Sequence, residues 1–104
     1  MMPVSGLSDH DSQRIRQVLK RFPEVETATL FGSRAKGTAR PGSDIDLSLS
    51  GSRLDLTLLG RVHDALDDLL LPYEIDLVLQ NSIQQPDLME HIRRVGVTLY
   101  ERAR

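Results

Sequence analysis

The chain has 104 residues, a formal net charge of −2, 39% hydrophobic residues and 4% aromatic residues. This size fits a single domain over residues 1–104, and the chain lacks the basic face and stacking aromatics with which proteins follow long DNA or RNA. It has no cysteine for a disulfide or thiolate metal site. It also has no secretory signal at its start and no apolar run of the roughly 20 residues that span a bilayer. We therefore expect a cytoplasmic protein without a membrane segment.

The first predicted element is an amphipathic helix from about residue 8 to residue 22. Its apolar residues recur on one helical face, Ser8 can cap its first turn, and Pro23 closes it. The β-branched and aromatic run Thr27–Phe31 predicts a strand. Residues 33–36 then predict a short helix.

Four more segments follow. Residues 44–50 alternate strictly between polar and apolar and predict a half-buried strand. Residues 55–71 carry leucines and valine at helical spacing and predict a second long helix, and residues 74–79 alternate again as a strand. A last helix runs from Pro86, which suits a first turn, to its cap at Gly96. The tail at residues 97–100 forms either an edge strand or an extended arm.

This order predicts an α/β (α+β) fold with a small mixed β-sheet and helices packed on one face. Both later strands place apolar residues on one face and acidic residues on the other. The helices should cover the apolar face and leave the acidic face open. Such a face is unusual unless something cationic binds there.

Three aspartates on this face are candidate metal ligands. Asp44 and Asp46 point the same way on one strand, with Cα atoms about 7 Å apart, and can reach a pair of Mg²⁺ ions roughly 3.5–4 Å apart. Asp76 supplies a third ligand if its strand lies beside the first. Glu74 shares the face of Asp76, and the residues alone do not separate these two candidates. Oxygen ligands suit Mg²⁺, which also binds substrate phosphates.

The dipeptide Gly32-Ser33 is a candidate phosphate-binding turn between a strand and the short helix. Backbone N–H groups at a helix start point toward anions, Gly32 allows close approach to the main chain, and the Ser33 hydroxyl adds a donor. Arg34, Lys36 and Arg40 follow and can offset triphosphate charge. Arg34, next to the turn, is the one that we assign to nucleotide binding.

The three histidines lie in predicted helices and have no ligand spacing among them. We therefore predict surface or packing roles for His10, His63 and His91.

Taken together, these motifs resemble the signature of the DNA polymerase β-like nucleotidyltransferase superfamily, which is Gly-Ser, ten residues, then Asp-x-Asp. The spacing from Ser33 to Asp44 matches, and Glu-Ile-Asp-Leu-Val at residues 74–78 resembles the strand with the third carboxylate. The close resemblance spans residues 30–79. The flanking helices are similar to those of the short stand-alone version, the minimal nucleotidyltransferase (MNT) domain.

The resemblance implies a role for each matching position. Asp44 and Asp46 would hold both Mg²⁺ ions, and Asp76 would hold the acceptor-side ion and help to activate the attacking hydroxyl. Gly32 and Ser33 would bind the β- and γ-phosphates of ATP. AMP would then pass to the acceptor by in-line displacement at the α-phosphorus, with release of pyrophosphate.

The resemblance also implies a partner. Stand-alone MNT proteins pair with a HEPN-domain ribonuclease toxin and neutralise it by adenylylating a tyrosine, which predicts an antitoxin within a hetero-oligomer. Two alternatives stay open. One is a catalytically silent binding module that blocks a partner sterically, and the other is transfer to a small molecule such as an aminoglycoside.

Overall fold

The computed structural model describes residues 7–32 and 44–102, and within them it contains one sheet of four strands and three α-helices. In chain order the elements are α1 (Asp9–Lys20), β1 (Thr27–Phe31), β2 (Ile45–Ser50), α2 (Leu56–Asp67), β3 (Ile75–Leu79), a 3₁₀ turn (Gln80–Ser82), α3 (Pro86–Val95) and β4 (Val97–Glu101). The short helix predicted at residues 33–36 lies outside the described residues. None of the helices in these two segments is long and apolar enough to cross a membrane.

The sheet is mixed, and its strand order is β3-β2-β1-β4. β1 pairs antiparallel with both β2 and β4, whereas β2 and β3 run parallel. The tail is therefore an edge strand, which was one of its two predicted forms. Because β1 runs opposite to β2 and β3, it ends at the side of the sheet where these two strands begin.

The hydrophobic core lies between one face of the sheet and the first two helices. It includes the following buried residues: Ile15 and Leu19 of α1, Ala28 and Leu30 of β1, Ile45, Leu47 and Leu49 of β2, and Val62 and Leu66 of α2. These are the apolar positions of the alternating strands and of the helical stripes, so the periodicities predicted which residues are buried.

α3 lies differently from α1 and α2. It contacts β1 through Phe31, whose ring meets His91 edge-on, and through Thr29, which faces Gly96 at the end of the helix. Thr29 and Phe31 alternate with the core-facing Ala28 and Leu30. The prediction of helices on one face therefore describes α1 and α2, and α3 covers part of the face that carries the acids.

Gly96 permits this contact. An added Cβ there would overlap the Ile92 carbonyl oxygen and lie 2.7 Å from Thr29 Cγ2. Gly96 caps α3, as predicted, with its N–H donating to the Ile92 carbonyl at 2.8 Å, but its φ of −62° is not left-handed. The glycine is thus required by close packing rather than by a special backbone conformation.

A local cap sets the start of α1, whereas the end of α2 involves the backbone at Leu70 and a contact with α1. The Ser8 hydroxyl accepts the Asp11 N–H at 3.1 Å and caps α1, as predicted. α2 ends at Asp67, four residues before the predicted end, because the chain leaves helical geometry at Leu70, whose φ is 55°. The Arg14 guanidinium donates to the Leu69 carbonyl at 2.8 Å and ties this segment to α1.

Candidate active site

The predicted carboxylates meet where β2 and β3 begin. Asp46 of β2 and Asp76 of β3 are direct partners in the parallel register, so about 4.8 Å separates their backbones. Asp44 is exposed and comes immediately before β2, two residues from Asp46. Asp76 is also exposed, whereas Asp46 is half-buried. The structure therefore brings together all three aspartates that the sequence analysis selected.

Their electrostatics are those of a site that favours a cation. Burial raises the pKa of Asp46 above that of an exposed aspartate, and the neighbouring charges of Asp76 and Asp44 raise it further, while His91 acts in the opposite direction. Like charges held this close disfavour ionisation of the most buried member. Within residues 7–32 and 44–102, no three His, Asp or Glu side chains already surround one point.

Gly32, the turn residue directly after β1, packs against Asp46. Phe31 is the register partner of Asp46, which places the next residue beside this carboxylate. A Cβ added at Gly32 would overlap Asp46 Oδ2 and lie 3.3 Å from its Cγ. The φ of Gly32 is +76°, in the left-handed region that favours glycine. Gly32 is thus in contact with the Asp46 carboxylate, and only a residue without a side chain fits there.

His91 also belongs to this site, although the sequence analysis gave it only a surface or packing role. The Gly32 N–H donates to His91 Nε2 at 3.2 Å, and the ring centroids of Phe31 and His91 are 6.2 Å apart at an interplanar angle of 81°. A signal was available in the sequence: His91 is next to Ile92 and at helical spacing from Leu88 and Val95, the apolar positions that predict the buried side of α3. His10 is exposed, and neither it nor the half-buried His63 is among the groups that act on Asp46.

Several candidates stay predictions. Ser33, Arg34, Lys36 and Arg40 lie outside the residues that the structure describes. Glu74 immediately precedes β3, is exposed, and accepts the Ile45 N–H through its backbone carbonyl at 2.8 Å. The charges that raise the pKa of Asp46 are those of Asp76 and Asp44. Asp76, rather than Glu74, is the register partner of Asp46, and the choice of the third ligand stays a prediction.

A cavity of about 820 Å³ lies at the far end of β1 from Gly32. Its lining includes Glu24 and Glu26 before β1, Arg53 after β2, and Glu101 and Arg102 at the end of β4. None of the predicted site residues that the structure describes lines it. We therefore expect the reaction to take place where β2 and β3 begin, beside the three aspartates, rather than in this cavity.

Gly32 contacts one of two in-register strand aspartates, and a third aspartate lies beside them, which is the arrangement that the resemblance to nucleotidyltransferases predicts. The family model described as "Polymerase beta, Nucleotidyltransferase" matches residues 13–104, and the chain belongs to this family. Both the family and the fold predicted from the Gly-Ser and Asp-x-Asp motifs are thereby confirmed.

Similar proteins include one curated relative and several solved structures. A Haemophilus influenzae protein described as a probable protein adenylyltransferase, MntA, is 34% identical over 89 residues, which are 85% of this chain and 77% of that protein. A chain of a toxin–antitoxin complex with AMP-PNP superposes with a TM-score of 0.72 at 26% identity, covering 88% of this chain and 73% of that one.

A chain from the complex of a tri-AMPylated Shewanella oneidensis HEPN toxin with an MNT antitoxin gives a TM-score of 0.67 at 22% identity. It covers 89% of this chain and 71% of that one. At this identity, the likeness shows a shared fold.

Proposed function

We propose that the chain transfers AMP from ATP to a hydroxyl side chain of a HEPN-domain protein and acts as the antitoxin of a toxin–antitoxin pair in the cytoplasm. The observation that carries the proposal is the contact between Gly32 and Asp46, together with the register pairing of Asp46 and Asp76. The similar protein described as a protein adenylyltransferase supports the reaction, and the similar chain from a complex with AMP-PNP supports the nucleotide.

The donor set fits Mg²⁺. Asp44, Asp46 and Asp76 offer only oxygen ligands, which this ion prefers. Burial, and then the charges of Asp76 and Asp44, raise the pKa of Asp46, and a bound cation would offset the repulsion among these carboxylates. Two ions held by these residues would neutralise charge on the attacking and leaving oxygens. Asp44 and Asp46 are proposed to serve both ions, and Asp76 the acceptor-side ion.

In the proposed step, the acceptor hydroxyl oxygen forms a bond to the α-phosphorus of ATP while the bond from the α-phosphorus to the bridging oxygen of pyrophosphate breaks. Pyrophosphate leaves with that electron pair, and the hydroxyl proton passes to solvent or to Asp76, whose carboxylate is exposed. Gly32 and Ser33 are proposed to hold the β- and γ-phosphates, with Arg34 offsetting their charge. Residues of the chain thereby fix the line of attack, which such reactions require.

The test is incubation of the protein with its HEPN partner, ATP and Mg²⁺, followed by intact-mass measurement of the partner. We expect a mass gain of one or more AMP units. Asp44→Asn/Asp46→Asn should abolish this gain. A matched control, Asp67→Asn/Asp68→Asn, removes the same charge from exposed positions at the end of α2 and should retain it.

Stable complex formation without any mass gain, with ATP and with the other nucleoside triphosphates, would contradict the proposal. That result would favour the silent binding module. AMP found on an aminoglycoside but not on the partner would favour the small-molecule alternative.

A further inference from the structure

The backbone N–H of Gly32 already has a defined partner. It donates to His91 Nε2 at 3.2 Å, the one side-chain hydrogen bond that joins α3 to Gly32 among the described residues. An imidazole nitrogen accepts a hydrogen bond through its lone pair, and Nε2 is the acceptor atom here. Nε2 therefore fixes the direction of the Gly32 N–H.

The His91 ring is itself held in place. Its position against Phe31 restricts rotation of the ring, and edge-to-face pairs of this kind are favourable. α3 is fixed against β1, because Gly96 is packed against Thr29 and the Ile92 side chain of α3 is buried. The acceptor atom is thus attached to a rigid element, which a site that requires accuracy needs.

On its other side, Gly32 touches Asp46. The position of its missing Cβ is filled by Oδ2 of this carboxylate. One peptide is therefore bounded by the imidazole of His91 and by the proposed central metal ligand. Since φ at Gly32 is +76° and glycine has unusual freedom, the turn would reorient easily if one of these two restraints were lost.

We propose that His91 is a positioning residue for the nucleotide: by accepting the Gly32 N–H, it holds the peptide of Gly32, a residue proposed to bind phosphate, at a fixed distance from Asp46. The proposal rests on the proposed function, because it assigns His91 to the same site. Without the acceptor, the turn would sample other orientations, and part of the nucleotide's binding free energy would be used to restore the right one.

The test compares acceptor-free and acceptor-bearing side chains at this position in the full-length protein. His91→Leu and His91→Phe remove the acceptor, and the Phe variant keeps a ring against Phe31. His91→Gln places an oxygen about as far from the backbone as Nε2. Arg94→Gln, an exposed change on the same helix, is the matched control.

Two measurements decide the matter without any turnover. In hydrogen exchange by NMR, the Gly32 amide should exchange at least about tenfold faster in the Leu and Phe variants, with the amides of α3 unchanged. Affinity for a non-hydrolysable ATP analogue with Mg²⁺ should fall about three- to tenfold, the effect of one neutral hydrogen bond. His91→Gln should restore both values to within about twofold of wild type.

Unchanged Gly32 exchange in the acceptor-free variants, unchanged or tighter analogue binding, or a Gln variant as weak as the Leu variant would each overturn the proposal. Tighter binding would mean that the imidazole competes with phosphate. Wild-type protein that binds the analogue but transfers no AMP would remove the proposed function only. Wild-type protein that binds no nucleotide would remove both proposals.

Discussion

Gly32→Ala is the substitution whose outcome the structure defines most sharply. The left-handed φ of +76° costs a residue with a Cβ about 1–2 kcal/mol. The new methyl group would also overlap Asp46 Oδ2, so the carboxylate must turn away. For a domain of this size, each kcal/mol lowers Tm by about 4–8 °C. We therefore expect Tm to fall by roughly 5–15 °C.

The effect on AMP transfer should be larger than the effect on stability, because the displaced group is the proposed central ligand. A displacement of about 1 Å at a reacting centre can cost about 100-fold in rate, and we expect a loss of this order. Thermal unfolding followed by circular dichroism gives the first number, and the intact-mass assay followed over time gives the second.

Gly60→Ala is the matched control. Gly60 is exposed in the middle of α2, and an added Cβ would meet nothing within 4 Å. The same chemical change should therefore stabilise the protein by about 0.5–1 kcal/mol through helix propensity, with activity unchanged. A Gly32→Ala protein as stable and as active as wild type would refute the reasoning. So would a destabilisation that is not reduced when Asp46→Ala removes the overlapping carboxylate.

Three further outcomes follow from the structure. The folded-state pKa of Asp46 lies above its unfolded value of about 3.9. The stability that the protonated Asp46 contributes is therefore complete below that pH and is lost as pH rises through the folded pKa. Asp46→Asn should raise Tm at pH 7 while it abolishes transfer, and a lower Tm would contradict this sign. The Ser48 hydroxyl is fully buried and has no hydrogen-bond partner among the described residues. Ser48→Ala should therefore leave the free energy of unfolding in urea unchanged or raise it by up to about 1 kcal/mol, and a clear loss of stability would reveal a hidden partner. Asp55 caps α2 by accepting the Leu58 N–H at 2.8 Å, and Asp55→Ala should cost about 1 kcal/mol in the same measurement, with Asp64→Ala, an exposed change inside the helix, as the control.

Much of this site could be predicted from the sequence because its chemistry is local. The alternation around Asp46 identifies the strand and the direction of the side chain, and the glycine that follows β1 marks a turn. The pairing partner of β2 is not local information. That Asp76 lies directly beside Asp46 depends on a parallel register, which a two-residue alternation cannot specify.

The features that were missed arise from packing between elements distant in sequence. α2 ends early because Leu70 adopts a positive φ, in a segment tied by Arg14 to α1, and the leucine pattern shows no sign of this. His91 reaches Gly32 across 59 residues only because α3 lies against Phe31 and Thr29. A helical stripe predicts that one side of α3 is buried, but not which face of the sheet it covers.

The position of β1 in the middle of the sheet also determines when the protein can fold during synthesis. One neighbour of β1 is β2, made soon afterwards, but the other is β4, the last element among the described residues. Residue Thr27 pairs with Glu101, so the sheet cannot close until residue 101 has been translated. A nascent chain therefore keeps one edge of its central strand unpaired, and such edges invite association with other chains. Full activity should appear only after residues 97–101 have been made.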